Sequence, residues 1–180
     1  TSGTLQLNLG VTTGIKDTAN NNLAATFSGQ AYTIDKVAPS VSSINRDTPS
    51  PTNNASVSWT VTFSESVSGV DTGDFSLATS GLSGASITGI TGSGASYTVT
   101  ASTGSGDGTI GLNFASDGTV KDTATNATTA GFTGQVYTVD KTAPTVQSIT
   151  RDNANPTNLS SVSWTVTFSE SVTGVSASNF

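Results

Sequence analysis

The sequence predicts an all-β protein built from tandem antiparallel β-sandwich modules without disulfide bonds. Three observations support this fold class. Large apolar residues alternate with small polar ones, turn-forming segments recur at short intervals, and the chain repeats itself at a fixed spacing. Apolar residues at helical spacing are absent, and the chain contains no cysteine that could close a module with a disulfide.

The internal repeat has a period of 105 residues. The segment VSWTVTFSESVSGV at 57–70 recurs as VSWTVTFSESVTGV at 162–175, and FSGQAYTIDK at 27–36 recurs as FTGQVYTVDK at 132–141. Of the 75 residue pairs that this register aligns, 42 are identical. Such similarity over the whole overlap indicates that each copy is the same structural unit.

The period divides the chain into three parts. Residues 35–139 form one complete unit, residues 1–34 the C-terminal part of a preceding unit, and residues 140–180 the N-terminal part of a following one. The two partial units cannot complete each other, because together they lack the counterpart of Ser76–Ser105. We therefore expect the parent protein to be longer and to contain further repeats.

Seven strands are predicted in the complete unit. The clearest strand carries an apolar stripe that alternates with serine and threonine, and we expect this stripe to be the structural core in both copies: Val57, Trp59, Val61, Phe63, Trp164 and Phe168. Shorter alternating runs are separated by turn-rich segments such as RDTPSPTNN, TGSG and TGSGDG. In chain order the predicted strands are Val41–Ile44, Val57–Phe63, Phe75–Ala78, Ala85–Ile90, Tyr97–Ala101, Thr109–Phe114 and Gln135–Val139. Seven short strands without a helix favour a two-sheet sandwich of immunoglobulin type.

The repeated segments also resemble a known family. YTVDKTAPTVQSITRDNANPTN followed by SVSWTVTFSESVTGV, with VKDTATN and FTGQVYTVD in the complete unit, is similar to the tandem bacterial immunoglobulin-like repeats of giant secreted adhesins and surface proteins. The similarity covers the whole chain. It implies an extracellular or cell-surface location and a role as a spacer, with adhesive or enzymatic domains elsewhere in the parent protein.

The resemblance further implies calcium sites at the junctions between modules. In related repeats, an aspartate that opens a D-x-x-A-P linker and the acid and amide of a D-x-A-G-N loop hold Ca²⁺. The matching residues are Asp35 and Asp140 for the linker, and Asp122 with Asn126 and Asp17 with Asn21 for the loop. In an immunoglobulin-type sandwich Asp35 could face Asp122 and Asn126 within one unit. Converging oxygen ligands of this kind suit Ca²⁺.

Composition narrows the possible partners. Twelve acidic against six basic residues give a net charge of −6, which opposes binding to nucleic acid and to anionic lipid. No stretch approaches the roughly 20 apolar residues of a membrane-spanning helix, so we expect no membrane insertion. The absence of histidine and cysteine removes the usual general base, the usual zinc ligand and any thiolate site.

Glu65, repeated as Glu170, is the acid in the middle of the duplicated strand. It could be a metal ligand or an acid catalyst, or it could instead be a solvated acid or the partner of a repeated cation, with Arg46 the obvious candidate. The sequence favours the second interpretation, because nothing in the spacing supplies a second carboxylate at a defined separation.

These observations predict a non-catalytic structural repeat that extends or spaces a large surface protein. Its expected partners are neighbouring repeats of the same chain, and Ca²⁺ is the only expected cofactor. Two alternatives remain open. The units could assemble with copies of themselves into a filament or sheath, or they could form a glycan- or ligand-binding adhesin module.

Overall fold

Antiparallel strands form every sheet of the computed structural model, which describes residues 1–180. The strands are β1 (Gly3–Leu9), β2 (Phe27–Ile34), β3 (Val41–Arg46), β4 (Ser56–Val67), β5 (Phe75–Ser80), β6 (Ser86–Ser102), β7 (Gly108–Phe114), β8 (Phe132–Val139), β9 (Val146–Arg151) and β10 (Trp164–Phe168). Single 3₁₀ turns at Thr72–Asp74 and Ala177–Asn179 lie 105 residues apart, so they occupy equivalent positions of the repeat. The chain has no helix long and apolar enough to cross a membrane.

The strands form four sheets, and each sheet lies within one of the three parts of the sequence. Strands β1 and β2 form a hairpin, and β9 and β10 form another. The central unit contains two three-stranded sheets, with strand orders β3-β4-β6 and β5-β7-β8. The all-β, antiparallel, disulfide-free character predicted from the sequence is therefore confirmed.

The two central sheets share one core. Along β4 the burial alternates, with Val57, Trp59, Val61 and Phe63 buried as the stripe predicts. The other sheet contributes buried residues from β7 and β8, among them Ile110, Leu112, Phe114, Tyr137 and Val139. Side chains from both sheets thus fill the space between two layers, as in a sandwich.

Aromatic contacts join the two sheets. The Trp59 and Tyr137 rings meet edge to face with centroids 5.2 Å apart, and Phe63 meets Phe114 in the same way at 5.7 Å. The Trp59 indole Nε1 donates a hydrogen bond of 2.8 Å to the Gln135 carbonyl oxygen. The apolar surface of the Trp59 side chain is therefore packed inside the core, and its only polar atom is hydrogen-bonded there.

Strand β6 replaces two of the seven predicted strands, so the central unit has six labelled strands. Its 17 residues cannot run straight, because the Thr88 hydroxyl donates to the Thr100 carbonyl oxygen and Ser83 bridges Ser105 in antiparallel fashion. The chain reverses near Gly92 and Gly94, which adopt φ of +119° and +66°. The predicted strands Ala85–Ile90 and Tyr97–Ala101 are the two arms of this reversal.

The flanking hairpins carry the same apolar stripes without a sheet to cover them. Trp59 is 0% exposed, whereas its counterpart Trp164 on β10 is 54% exposed. Phe168, also predicted as core, is half-buried. Because no second sheet packs on β9 and β10, Trp164 and Phe168 do not lie in a core in this structure.

Candidate metal centre

Three carboxylates converge where the chain passes from residues 1–34 into the central unit. Asp35, Glu65 and Asp122 each offer an oxygen, and these oxygens all lie within 4.8 Å of one another. Asp35 directly follows β2, Glu65 lies near the end of β4, and Asp122 lies in the loop between β7 and β8. The structure thus places two residues of the predicted linker-and-loop site beside the acid of the duplicated strand.

A tight loop holds Asp122 in position. One carboxylate oxygen of Asp122 accepts from the Asn126 backbone N–H at 2.8 Å, and the other accepts from Asn126 Nδ2 at 2.8 Å. Asn126 Nδ2 also donates to the Asp35 carbonyl oxygen at 3.2 Å. Asn126 therefore orients Asp122 and ties the loop to the start of the unit, with its amide nitrogen turned toward both acids.

Thr125 completes this loop with a backbone φ of +69°. That region is normally reserved for glycine, and a β-branched residue there is strained. Asn20 occupies the equivalent position of the preceding unit with a φ of +71°. The two copies hence form the same loop with different residues.

The repeated loop at residues 17–21 shows the same hydrogen bonds. The Asp17 carboxylate accepts from the Asn21 backbone N–H at 2.8 Å and from Asn21 Nδ2 at 2.9 Å. The Asn21 hydrogen bonds lower the pKa of Asp17. The structure does not bring Asp17 and Asn21 into a cluster of acids.

The electrostatics of the cluster disfavour the state in which all three carboxylates are ionised. Burial, followed by repulsion from Asp122 and Asp35, raises the pKa of Glu65. Burial also acts to raise the pKa of Asp122, but hydrogen bonds from the Asn126 side chain and backbone outweigh it and lower that pKa. The unfavourable effect of bringing three carboxylates together therefore falls mainly on the ionised form of Glu65.

The spacing of the three carboxylates fits a divalent cation. Calcium binds oxygen at about 2.3–2.6 Å, so two ligands on opposite sides of the ion lie about 5 Å apart. Oxygens that are mutually within 4.8 Å can therefore reach one ion. Hard carboxylate oxygens are also the ligands that Ca²⁺ prefers.

The interpretation of Glu65 as a partner of Arg46 is wrong. Arg46 Nη1 donates to the Val136 carbonyl oxygen at 3.1 Å, and the guanidinium lies 5.4 Å from the centroid of the Tyr137 ring. The sequence signal that could have placed Glu65 at the junction was its repetition as Glu170 within an identical segment, SVSWTVTFSESV at 56–67 and 161–172.

Asp140 begins the equivalent linker at the next junction. Its carboxylate accepts from the Thr142 backbone N–H at 3.1 Å, as the Asp35 carboxylate accepts from Val37 at 3.0 Å. The structure does not bring Asp140 together with other acids, since the 180 residues contain no counterpart of Asp122 for it.

Asp107 anchors this second linker to the central unit. Its carboxylate accepts from the Lys141 backbone N–H at 2.6 Å and from the Thr142 hydroxyl. The Thr142 side chain and the Lys141 backbone lower the pKa of Asp107. At the first junction the equivalent residue is Ser2, whose hydroxyl accepts from the Lys36 backbone N–H at 3.0 Å. Sequence reasoning missed Asp107, because it does not repeat.

A second group of acids closes the 3₁₀ turn beside β5. Asp74 is 1% exposed, and its carboxylate accepts from the Asp71 backbone N–H at 2.7 Å and from the Thr119 hydroxyl at 2.9 Å. Burial raises the pKa of Asp74. In the following unit Asn179 accepts from the Ser176 backbone N–H at 2.7 Å. Because a neutral amide makes the same contact, this position serves the turn and does not require charge.

No protein-family model matches the chain, and searches of curated proteins and of solved structures found no match. The repeat, the two-sheet core and the carboxylate cluster are therefore the observations from which its function must be inferred.

Proposed function

We propose that this chain is a non-catalytic structural repeat of a large extracellular or cell-surface bacterial protein. Its modules, of immunoglobulin-like type, act as spacers that hold other parts of the protein at a distance. One observation carries the proposal: copies of the sequence 105 residues apart form the same local structure.

Matching hydrogen bonds support this view. Thr60 Oγ1 donates to Asp47 at 2.7 Å, and Thr165 Oγ1 donates to Asp152 at 2.7 Å. The loops at 17–21 and 122–126 agree in the same way. A unit whose copies form the same local structure is suited to serial repetition, where each unit contacts chiefly its neighbours.

The polar clusters suit a mechanical role better than catalysis. Asp74, Asp107 and Asp122 each receive hydrogen bonds that fix a turn, a linker or a loop. Glu65 is the exception, because its neighbours are two further carboxylates. We assign this unbalanced charge to a divalent cation, with Ca²⁺ held by Asp35, Glu65 and Asp122 at the junction. The cation would neutralise the cluster and fix the angle between neighbouring modules.

The cation can be tested on the 180-residue chain by thermal unfolding with Ca²⁺ and with chelator. Wild type should melt at a higher temperature with Ca²⁺, since a ligand that binds only the folded state stabilises it. Glu65→Gln should remove that increase. In chelator the same variant should melt at or above the wild-type temperature, because the substitution relieves repulsion among the acids.

Glu170→Gln is the matched control, since Glu170 occupies the equivalent position of the repeat without Asp35 and Asp122 beside it. It should leave the calcium response unchanged. Equal responses of wild type and Glu65→Gln to Ca²⁺ would refute the proposed site.

The spacer role is tested by small-angle X-ray scattering on an array of three or more units. With Ca²⁺ the maximum dimension should increase, and the combined change of Asp35→Asn and Asp140→Asn should abolish the increase. Identical scattering with Ca²⁺ and with chelator would contradict the calcium-stiffened spacer and leave the proline-containing linkers as the source of any rigidity.

A further inference from the structure

The connection between β3 and β4 holds the end of β8. The Thr52 N–H donates to the Thr138 carbonyl oxygen at 3.0 Å, and the Asp140 N–H donates to the Thr52 carbonyl oxygen at 3.0 Å. The Ser50 hydroxyl oxygen accepts from the Thr138 N–H at 2.8 Å. We call residues 46–52 the clamp segment, because they fasten the strand with which the central unit ends.

Further hydrogen bonds extend the contact back along β8. The Arg46 N–H donates to Gln135 Oε1 at 3.0 Å, and Arg46 Nη1 donates to the Val136 carbonyl oxygen at 3.1 Å. Partners therefore advance in the same direction along both segments. The clamp segment and β8 run parallel, as the parallel bridge between Thr52 and Val139 also shows.

A buried tyrosine supports this contact from the core side. Tyr137 is 0% exposed, and its hydroxyl oxygen accepts from the Asp47 N–H at 3.0 Å and from the Thr48 N–H at 3.2 Å. The same hydroxyl donates to the Ser58 carbonyl oxygen at 2.8 Å. Because water has little access to a buried hydroxyl, it cannot easily replace these partners when the contact is strained.

The parallel arrangement decides how tension acts on the unit. The chain enters through Asp35, which lies beside Glu65 near the end of β4, and it leaves through Asp140, which is bonded to the segment that leads into the start of β4. Tension along the chain therefore pulls β3 toward its N-terminal end and β8 toward its C-terminal end. Since hydrogen bonds between strands run across the strand direction, this shear loads the whole set at once.

The two flanking hairpins are loaded differently. In β1–β2 Gly3 pairs with Ile34, and in β9–β10 Phe168 pairs with Val146. The chain enters and leaves each hairpin at the same end, so tension breaks its hydrogen bonds one after another. Bonds that break singly resist less force than bonds that must break together.

The side chains of the clamp recur in the repeat. Arg46, Thr52 and Gln135 correspond to Arg151, Thr157 and Gln30. The sequence thus supplies the same donors and acceptors to neighbouring units.

We infer that the clamp segment and β8 form the contact that carries tension through the module. This inference rests on the proposed spacer function, because a spacer in a series of units transmits any force between the parts that it separates. It deepens that function by naming the contacts that keep a unit folded under force, and it requires no cation.

Optical tweezers on the full 180-residue chain test the inference. The chain has no cysteine, so Thr1→Cys and Phe180→Cys provide unique points of attachment. The hairpins should open at low force, and the central unit should unfold in a separate step at higher force. Ser50→Ala removes the acceptor of the Thr138 N–H, so it should raise the unfolding rate at a given force about fivefold, the equivalent of a hydrogen bond of about 1 kcal/mol.

Thr88→Val is the matched control. Thr88 Oγ1 donates to the Thr100 carbonyl oxygen at 3.2 Å, so this variant also loses one bond from a side chain to the backbone, but both residues lie within β6. The two variants should lose similar stability in urea. Under tension Thr88→Val should unfold at the wild-type rate, because its contact is still formed when the clamp breaks. Equal acceleration by both variants would overturn the inference.

The direction of pulling supplies a second readout. Ser105→Cys and Ala143→Cys attach the force where β7 begins and β8 ends, beside the pair of Gly108 and Val139. Tension then peels β8 from its end, and the unit should unfold at a clearly lower force than with attachment at Thr1 and Phe180. Equal forces in the two directions would also overturn the inference. Scattering from arrays does not depend on these variants, so a failed clamp and a failed spacer are distinguishable.

Discussion

Replacing Trp59 by alanine should destabilise the central unit strongly. The side chain is fully buried, so its removal costs the transfer free energy of a large aromatic group together with the cavity left behind, about 3–5 kcal/mol. Two specific contacts contribute to this loss of free energy. The edge-to-face pair with Tyr137 is typically worth about 0.5–1.5 kcal/mol, and the Nε1 hydrogen bond to Gln135 about as much.

The assay is urea unfolding followed by circular dichroism. Since whole domains are stable by only about 5–15 kcal/mol, the Trp59→Ala midpoint should fall steeply. Trp59→Phe separates the contributions, because it keeps most of the ring contact and leaves the Gln135 carbonyl oxygen without its donor. Its cost should be about 1–3 kcal/mol.

Trp164→Ala is a control that this chain provides itself. Trp164 lies in the same sequence context, VSWTVTF, so any effect of strand propensity is equal at the two positions. In dilute solution its substitution should change stability by less than about 0.5 kcal/mol, because the side chain is 54% exposed. Equal losses for Trp59→Ala and Trp164→Ala would refute the argument that packing between sheets, and not the strand itself, stabilises the unit.

Three further substitutions test individual contacts. Burial raises the pKa of Asp74, so its ionisation destabilises the folded state as pH rises. Asp74→Asn should therefore melt above wild type at neutral pH, and the difference should vanish below the ordinary value of 3.8, as measured by thermal unfolding across pH. Thr125→Gly should relieve the strain of a positive φ and gain about 0.5–1 kcal/mol in urea unfolding. Asp107→Ala should release the linker and speed trypsin cleavage after Lys141, with cleavage after Lys36 as the internal reference; unchanged cleavage would show that the linker is held elsewhere.

The fold class could be predicted because alternation and repetition are local signals. The stripe from Val57 to Phe63 fixes which face of β4 is buried, and the 105-residue period gives the length of the repeating unit. The number of strands was harder to predict from the sequence. The TGSG segment predicted the reversal at Gly92 and Gly94, but the structure has both arms of the reversal as one continuous β6.

Long-range partners were the part that the sequence could not specify. Arg46 and Glu65 looked like a pair because they are opposite repeated charges, but β3 faces β8 across the unit, and Arg46 bonds to Val136 there. Glu65 instead meets acids that lie 30 and 57 positions away in the sequence. Only the packing of the two sheets brings these positions together.

The acids of the two copies differ in a way that bears on the proposed cation. Where a neutral residue can make the same hydrogen bonds as an acid, the other copy has a neutral residue. Asp74 corresponds to Asn179, and Asp107 corresponds to Ser2. Four acidic positions keep their charge in both copies, and three of these four converge in the central cluster: Asp35, Glu65 and Asp122. Hydrogen bonding alone does not explain this pattern, because Glu65 gains only burial and repulsion from its position. The proposed cation would make this retained negative charge, which is unfavourable by itself, stabilising at the junction.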